Sequence, residues 1–170
     1  RIAKLRETGI DKPIEFAVLT HHHNDHLVGV RAWEAEGATV YTVAENEEVV
    51  RANAEDGEAL NLAFVDDRHV FEAGDRRVEL IDIGPTPHVE HLLVAYLPGP
   101  GILFEADHFP NPIHGIMPPA QPVTQALAVA IERHGLDVET IVGAHSPRVA
   151  SAADLQESVR KAASLETAGL

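Results

Sequence analysis

The pattern of hydrophobic and polar positions along the chain predicts short strands that alternate with helices. Apolar, β-branched runs predict strands at positions 14–19, 38–43, 78–83, 92–96, 102–105 and 139–144, and the whole stretch 62–83 is predicted to be rich in β-structure. Amphipathic stretches predict helices at 28–36, 45–53 and 122–134, and a further helix that Ser151 opens. Gly74-Asp75 is expected to turn a hairpin, and Gly37 and Gly135 are expected to end helices. Mixed elements of this kind predict an α/β sandwich.

The composition is typical of one globular domain. A chain of 170 residues with 45% hydrophobic content can bury one core, so we predict a single domain over residues 1–170. No apolar run approaches the roughly 18 residues that span a bilayer, and no membrane association is expected. The chain has no cysteine, so any metal site must use nitrogen and oxygen ligands.

The charge balance bears on the class of partner. The formal net charge is −14, with 13 basic residues against 27 acidic ones, and no basic stripe follows any element. Nucleic-acid phosphates are held by clustered Lys and Arg, so nucleic acid is not expected as a partner. A small-molecule substrate is the expectation that remains.

Four side chains able to bind metal lie within six residues, directly after the first predicted strand. They are His21, His23, Asp25 and His26, in the segment THHHNDH. In an extended chain His21 and His23 would point to one side, and a turn at Asn24 would let the other two face a second centre. Imidazole and carboxylate groups are zinc ligands, and hydrolytic sites hold paired ions about 3.5–4 Å apart. The cluster predicts a two-metal hydrolytic site.

Three further candidate ligands follow later apolar runs. His88 comes after a turn with two prolines, Asp107 follows the strand at 102–105, and His145 follows the strand at 139–144. Each alone is more often a cap or a loop residue, but with the first cluster they form a ligand set.

The segment THHHNDH and the three later positions resemble the metallo-β-lactamase superfamily of αββα metallohydrolases. The resemblance implies a four-layer αββα sandwich. It also implies that His21, His23 and His88 hold one metal, that Asp25, His26 and His145 hold a second, and that Asp107 bridges the two. Two zinc ions per chain are expected, with iron or manganese as alternatives.

Two departures from the family pattern concern substrate contacts and the start of the chain. His91 stands where many members have glycine, and the last motif is GAHSPR. Because members of the family place several strands before the signature loop, we predict that the chain covers the C-terminal two-thirds of such a domain. An apolar face left by a missing segment would be costly in water, so we expect a homo-oligomer or a complementing N-terminal segment to cover it.

The ligand set predicts a metal-dependent hydrolase with Asp25 and Asp107 as catalytic residues. A metal-bound hydroxide would attack an ester, thioester, lactone or amide, with Asp25 orienting the nucleophile. One alternative is a di-iron redox protein of the same fold, although such members usually carry Glu where this chain has His23. The other is a metal-binding module without catalysis.

The proline-rich segment from Asp107 to Gln121 is the expected place for substrate choice. It is stiff and apolar, and it starts at the proposed bridging carboxylate. The alternative is an ordinary surface connection.

Overall fold

A computed structural model describes residues 2–168 of the chain. The chain divides into two compact units, one ending at Asp66 and the other beginning at Asp67. Each unit has its own sheet and its own hydrophobic cluster. The candidate ligands are divided between them, since the first four lie in unit 1 and the last three in unit 2.

Unit 1 is built from short helices around a small parallel sheet. Its strands are β1 (Phe16–Val18), β2 (Thr39–Thr42) and β3 (Leu62–Phe64), in the order β1-β2-β3. Its helices are α1 (Ile2–Glu7), α2 (Asn24–Leu27), α3 (Val30–Ala35) and α4 (Glu47–Asn53), with a 3-10 turn at Ala44–Asn46.

The core of unit 1 forms where the helices cover the middle strand. Val40 of β2 packs with Val30 of α3 and Val50 of α4, and all three are fully buried. Leu19, directly after β1, is 1% exposed and belongs to the same cluster. Parallel strands need such covering because their crossovers place helices on the sheet faces. The end of β1 is therefore a rigid base for the residues that follow.

Unit 2 is a six-stranded sheet with two long helices. Its strands are β4 (Arg68–Ala73), β5 (Arg76–Asp82), β6 (Leu93–Leu97), β7 (Ile102–Glu105), β8 (Thr140–Gly143) and β9 (Ala150–Ser151). They lie in sequence order, antiparallel except for the parallel pair β7-β8. The helices are α5 (Pro122–Arg133), within the crossover between β7 and β8, and α6 (Ala152–Thr167).

The core of unit 2 lies between this sheet and its helices. Leu103 and Ile141 on the central parallel strands are fully buried, together with Leu127 of α5 and, at 5% exposure, Leu155 of α6. Side chains alternate along a strand, which puts Leu103 inside and leaves Phe104 36% exposed. The sheet register thus fixes which side chains at the strand ends face inward.

The structure confirms the α/β class and most predicted elements. The β4-β5 hairpin turns at Gly74-Asp75, as predicted. Gly37 and Gly135 each follow a helix and have the positive φ angle that glycine favours there. Ser151 forms a capping box with Asp154 at the start of α6. The helix expected over 28–36 begins only at Val30, after the separate turn α2. Helix α1 and strand β9 were not predicted. Whether the chain is one domain stays a prediction.

Among residues 2–168, no helix has the length and apolar character needed to cross a membrane.

Candidate metal centre

The histidine loop of unit 1, residues 21–26, starts from a buried and hydrogen-bonded strand end. The Leu19 N–H donates to the Tyr41 carbonyl at 2.9 Å, which extends the pairing of β1 and β2. Thr20 and His21 are both buried, and Thr20 Oγ1 lies 3.1 Å from His21 Nδ1. A hydrogen bond to one ring nitrogen fixes the orientation of an imidazole, so Nε2 is the His21 atom suited to coordination.

A tight turn follows His23. The His23 backbone is extended, with φ −68° and ψ 148°, and its carbonyl accepts the N–H groups of His26 at 3.0 Å and Leu27 at 3.1 Å. Helix α2 therefore begins at Asn24, where the sequence predicted a turn. Asp25 and His26 lie on that turn, and buried Leu27 anchors it.

The turn brings the loop side chains close together. The His21 ring centroid lies 4.6 Å from that of His23 and 4.2 Å from that of His26. Asp25 Oδ2 is 3.4 Å from His26 Nε2. The rings of His23 and His26 thus both lie close to that of His21, and the division of these residues between two metal ions stays a prediction. His22 and Asn24, the two residues of the loop outside the candidate ligand set, are exposed.

In unit 2 the carboxylate of Asp107 lies between two imidazoles. Its Oδ2 is 3.5 Å from His88 Nε2, and its Oδ1 is 3.3 Å from His145 Nε2. Both distances are long for a hydrogen bond between these atoms. One oxygen therefore faces each histidine, although the three residues come from three separate loops at strand ends.

The loop carrying His88 is closed by Asp82 at the end of β5. Asp82 Oδ1 accepts the N–H groups of Gly84 at 2.9 Å and Leu92 at 3.0 Å. A side chain at Gly84 would collide with the Glu90 carbonyl, so the two arms of the loop meet there. Inside the loop Thr86 Oγ1 accepts the His88 N–H at 3.2 Å. These bonds hold His88 on a fixed backbone.

His91 also belongs to this closure. Its Nδ1 lies 2.6 Å from Asp82 Oδ2, so the imidazole and the carboxylate form a close pair at the base of the loop. The residue that departs from the family pattern therefore contributes to the scaffold of the loop.

The turn at Asp107 contains two buried polar residues, Glu105 and His108, of which sequence reasoning missed Glu105. Glu105 is 1% exposed, and burial raises the pKa of its carboxyl to about 7, opposed by hydrogen bonds from the backbone of His108 and Phe109. His108 is fully buried, and burial lowers the pKa of its imidazole. The strand alternation could have revealed Glu105, because an acid at the inward position beside Leu103 breaks the apolar pattern.

The imidazole of His108 is held on one side. Its Nδ1 lies 2.9 Å from the Ala106 carbonyl oxygen, which only a protonated nitrogen can approach favourably. Its Nε2 is buried and has no hydrogen-bond partner among the described residues. The ring centroid lies 5.7 Å from that of His88.

A small cavity of about 140 Å³ opens within unit 2 beside Asp107 and His145. Glu105 and Ser146 line it, together with Phe109 and Pro110 from the start of the proline-rich segment. That segment was the expected place for substrate choice, and three of its residues, Asp107, Phe109 and Pro110, line this cavity.

The proline-rich segment is fixed through its backbone carbonyls. Side chains outside the segment donate to carbonyl oxygens within it: Thr124 to His108 at 2.7 Å, Ser146 to Phe109 at 2.8 Å, Arg148 to Pro112 at 2.8 Å, Ser158 to Pro118 at 2.7 Å and Lys161 to Met117 at 2.7 Å. Phe109, Asn111 and Met117 are buried. The segment is thus a packed part of unit 2.

The donor chemistry of both units suits a transition metal. Each of the seven predicted side chains offers one imidazole nitrogen or carboxylate oxygen that could contribute to holding a metal ion. In the described residues, hydrogen bonds orient His21 and the backbone that carries His88, as is usual around metal ligands. Nitrogen and oxygen donors of this kind suit zinc, iron or manganese.

The chain was compared with protein-family models and with curated protein sequences. The sequence model of the metallo-beta-lactamase superfamily matches residues 3–167. No curated protein sequence matches the chain significantly.

Solved structures share the fold at low sequence identity. A metallo-beta-lactamase from Pontibacter korlensis is 22% identical with a TM-score of 0.69, over 94% of this chain and 74% of that one. The FIM-1 metallo-beta-lactamase from Pseudomonas aeruginosa, in its mono-zinc form, is 21% identical with a TM-score of 0.64, over 96% and 72%. The flavodiiron protein from Giardia intestinalis is 17% identical with a TM-score of 0.65, over 94% and 44%.

The family match covers nearly the whole chain, and the structural similarities agree with it. At such identities the solved structures show the fold alone, while the His and Asp side chains show a capacity to bind metal. This protein belongs to the metallo-beta-lactamase superfamily.

Proposed function

We propose that this protein is a zinc-dependent hydrolase with two metal ions per chain. The observation that supports the proposal best is the position of Asp107 within unit 2. Its two carboxylate oxygens face different imidazoles, at 3.5 Å toward His88 and 3.3 Å toward His145. With its two oxygens facing different imidazoles, this carboxylate would be suited to hold a pair of metal ions.

The proposed ligand assignment follows the family. His21, His23 and His88 would hold one ion, and Asp25, His26 and His145 would hold the other, with Asp107 between them. The local geometry of each unit supports this assignment, because the histidine loop and the Asp107 group each gather their ligands. When bound, two divalent ions would lower the pKa of a water molecule and stabilise an oxyanion.

The residues of the chain would orient the reaction around those ions. Asp25 is exposed on the turn of α2 and could accept a hydrogen bond from the attacking water, as a general base would. Asp107 sits on a backbone fixed by neighbouring hydrogen bonds, so its carboxylate is held before substrate arrives. We propose a carbonyl substrate of the ester, thioester, lactone or amide class.

The type of substrate is inferred from charge and cavity. The net charge of −14 disfavours a polyanionic substrate such as nucleic acid. The cavity beside Asp107 is small and has an apolar wall from Phe109 and Pro110. We therefore propose a small uncharged or weakly charged molecule.

The structural similarity to a flavodiiron protein suggests a second candidate function, that of a di-iron redox protein. Its fold is shared, and nitrogen and oxygen donors also suit iron. We favour zinc because His23 occupies the position at which the di-iron members are expected to carry Glu. A metal-binding module without catalysis is the third possibility, and activity measurements separate it from the first.

The proposal is tested by metal analysis and activity together. Elemental analysis of protein never exposed to chelator should give about two zinc ions per chain, whereas iron would support the redox alternative. A panel of chromogenic esters and lactones should be hydrolysed, and Asp107→Ala should reduce the rate by more than about 100-fold, since even outer partners of metal ligands cost 10 to 100-fold.

His22→Ala is the matched control, because His22 is an exposed imidazole of the same histidine loop outside the ligand set. It should retain activity. Hydrolysis that persists in the Asp107→Ala protein would overturn the proposal.

A further inference from the structure

Glu105 is a buried carboxylic acid directly beside the proposed metal ligands. It is the last residue of β7, and its side chain is 1% exposed. A buried carboxyl group costs free energy unless hydrogen bonds replace its water. The family ligand assignment gives Glu105 no role, so the contacts that hold it there indicate its function.

One carboxylate oxygen closes the turn that carries Asp107. Glu105 Oε2 accepts the backbone N–H of His108 at 2.8 Å and that of Phe109 at 3.3 Å. Asp107 lies inside this turn with φ 64°. Among residues 2–168, no other residue apart from glycines has a positive φ. A left-handed backbone is unfavourable for residues other than glycine, so the surrounding bonds must maintain it.

The other carboxylate oxygen faces the neighbouring strand. Glu105 pairs with Gly143 in the parallel register of β7 and β8. A Cβ atom at Gly143 would lie 2.5 Å from Glu105 Oε1 and would also collide with Ser146 Oγ. The carboxylate and the hydroxyl therefore fill the space that a side chain at position 143 would need.

Ser146 joins this arrangement to the Asp107 turn. Its Oγ donates to the Phe109 carbonyl at 2.8 Å, and Ser146 directly follows His145. The Ala144 N–H donates to the Glu105 carbonyl at 2.9 Å. The turn with Asp107 and the loop with His145 are thus linked through Glu105 and its immediate neighbours.

We propose that Glu105 is a positioning residue for the metal centre. Its side chain holds the left-handed backbone of Asp107, so that Asp107 presents one oxygen toward His145 and the other toward His88. The inference rests on the proposed metal binding by Asp107. The role requires an acceptor oxygen at the end of the side chain, and it requires that position 143 carry no side chain, because the Glu105 carboxylate occupies that space.

The test measures zinc affinity of the full chain by competition with a chromogenic chelator. Glu105→Leu removes the acceptor and should weaken zinc binding at least tenfold, because partners of metal ligands contribute about 10 to 100-fold. Glu105→Gln keeps an acceptor oxygen and should stay within about threefold of the original protein. A Gln variant as weak as the Leu variant would overturn the proposal.

Glu79 provides the matched control. It is another buried glutamate of unit 2, 5% exposed, and it pairs with Arg68 at 3.0 Å and Arg77 at 2.8 Å on the β4-β5 side of the sheet. Glu79→Leu should lower stability in urea without changing zinc affinity. Equal losses of zinc affinity in Glu79→Leu and Glu105→Leu would show a general structural effect and overturn the positioning role.

Gly143→Ala tests the same role with Glu105 intact. The added methyl group would displace the carboxylate, so zinc affinity should again fall at least tenfold. Unchanged zinc affinity in Gly143→Ala would overturn the proposal. This variant therefore tests the proposal even if the Glu105→Leu protein does not fold. Failure of the original protein to bind zinc would instead refute the proposed function, which separates the two.

Discussion

The two groups of candidate ligands are built in different ways. The histidine loop takes four candidate ligands from residues 21–26, and one tight turn after His23 gathers them. The Asp107 group of unit 2 takes three ligands from loops between positions 88 and 145, and the register of β5 to β8 gathers them. One group depends on local backbone geometry and the other on a whole sheet.

The difference predicts different sensitivities to mutation. A local group tolerates changes elsewhere, provided its strand end stays anchored by residues such as Leu19. A dispersed group depends on every strand that separates its members, because a shift of one residue turns side chains to the other face. The positions of the three candidate ligands in unit 2 therefore depend on the stability of its core and of the buried groups at its strand ends.

The largest expected effect comes from the core of unit 2. Leu103→Ala empties a fully buried position on β7, the strand that leads to Asp107, and should lower the free energy of unfolding by about 2–5 kcal/mol. Phe104→Ala, on the outward face of the same strand, should cost less than about 1 kcal/mol. Urea denaturation of the metal-free protein measures both. Equal losses would remove the distinction between inward and outward positions on β7.

A second pair of variants compares one ligand from each group. His21 is fully buried and hydrogen-bonded to Thr20, while the side chain of His145 is 50% exposed. In metal-free protein His21→Ala should lower the free energy of unfolding by about 1–3 kcal/mol, and His145→Ala should change it by about 0.5 kcal/mol or less. Denaturation curves of the metal-free variants measure both values. If His145→Ala lowered the free energy of unfolding as much as His21→Ala, the expectation would be wrong.

The smallest effect concerns the scaffold of unit 2 and depends on pH. The Ser151 backbone N–H, and then Arg148, hold the pKa of Asp154 below its usual range. Its stabilising contribution is therefore complete above the pKa of an unfolded aspartate, about 3.9, and is lost as the pH falls through the lower folded value. Compared with the original protein, Asp154→Asn should be less stable at pH 7, by at most about 1 kcal/mol, and the difference should shrink near pH 3.

Ser151→Ala serves as the control for that measurement. It removes the hydroxyl, which accepts the Asp154 N–H and also donates to the Asp154 carboxylate at 3.0 Å, but it keeps the backbone N–H that donates to the same carboxylate. The pH dependence should weaken but persist in this variant, because the Ser151 backbone N–H is the largest cause of the lowered pKa of Asp154. An equally steep pH dependence in the Asp154→Asn protein would assign the titration to another group.

The sequence alone predicted the histidine loop more directly than the Asp107 group. Spacing and residue type were enough for His21, His23, Asp25 and His26, because a local turn needs no distant partner. Asp107 was a weaker candidate because acids at strand ends are common, and its bridging role was implied only by the resemblance to a family. Its left-handed backbone has no pattern in the sequence, because the hydrogen bonds to Glu105 that maintain it come from the folded turn.

Other features needed the pairing of strands to be known. The contact of His91 with Asp82 follows from the register of β5 and β6, in which Asp82 lies opposite Leu93. Strand β9 is two residues long, and its pairing with β8 defines it. The choice between zinc and iron stays a prediction, because nitrogen and oxygen donors suit both.

The proline-rich segment after Asp107 has a consequence for how such a protein can diverge. Because its neighbours hold it through main-chain oxygens, which every residue possesses, its shape depends little on its own outward side chains. Ile113 and Ile116 are 60% and 83% exposed and can be exchanged at small cost in stability. Natural variation or directed evolution can therefore change the outward side chains of the proline-rich segment while its backbone keeps the same shape.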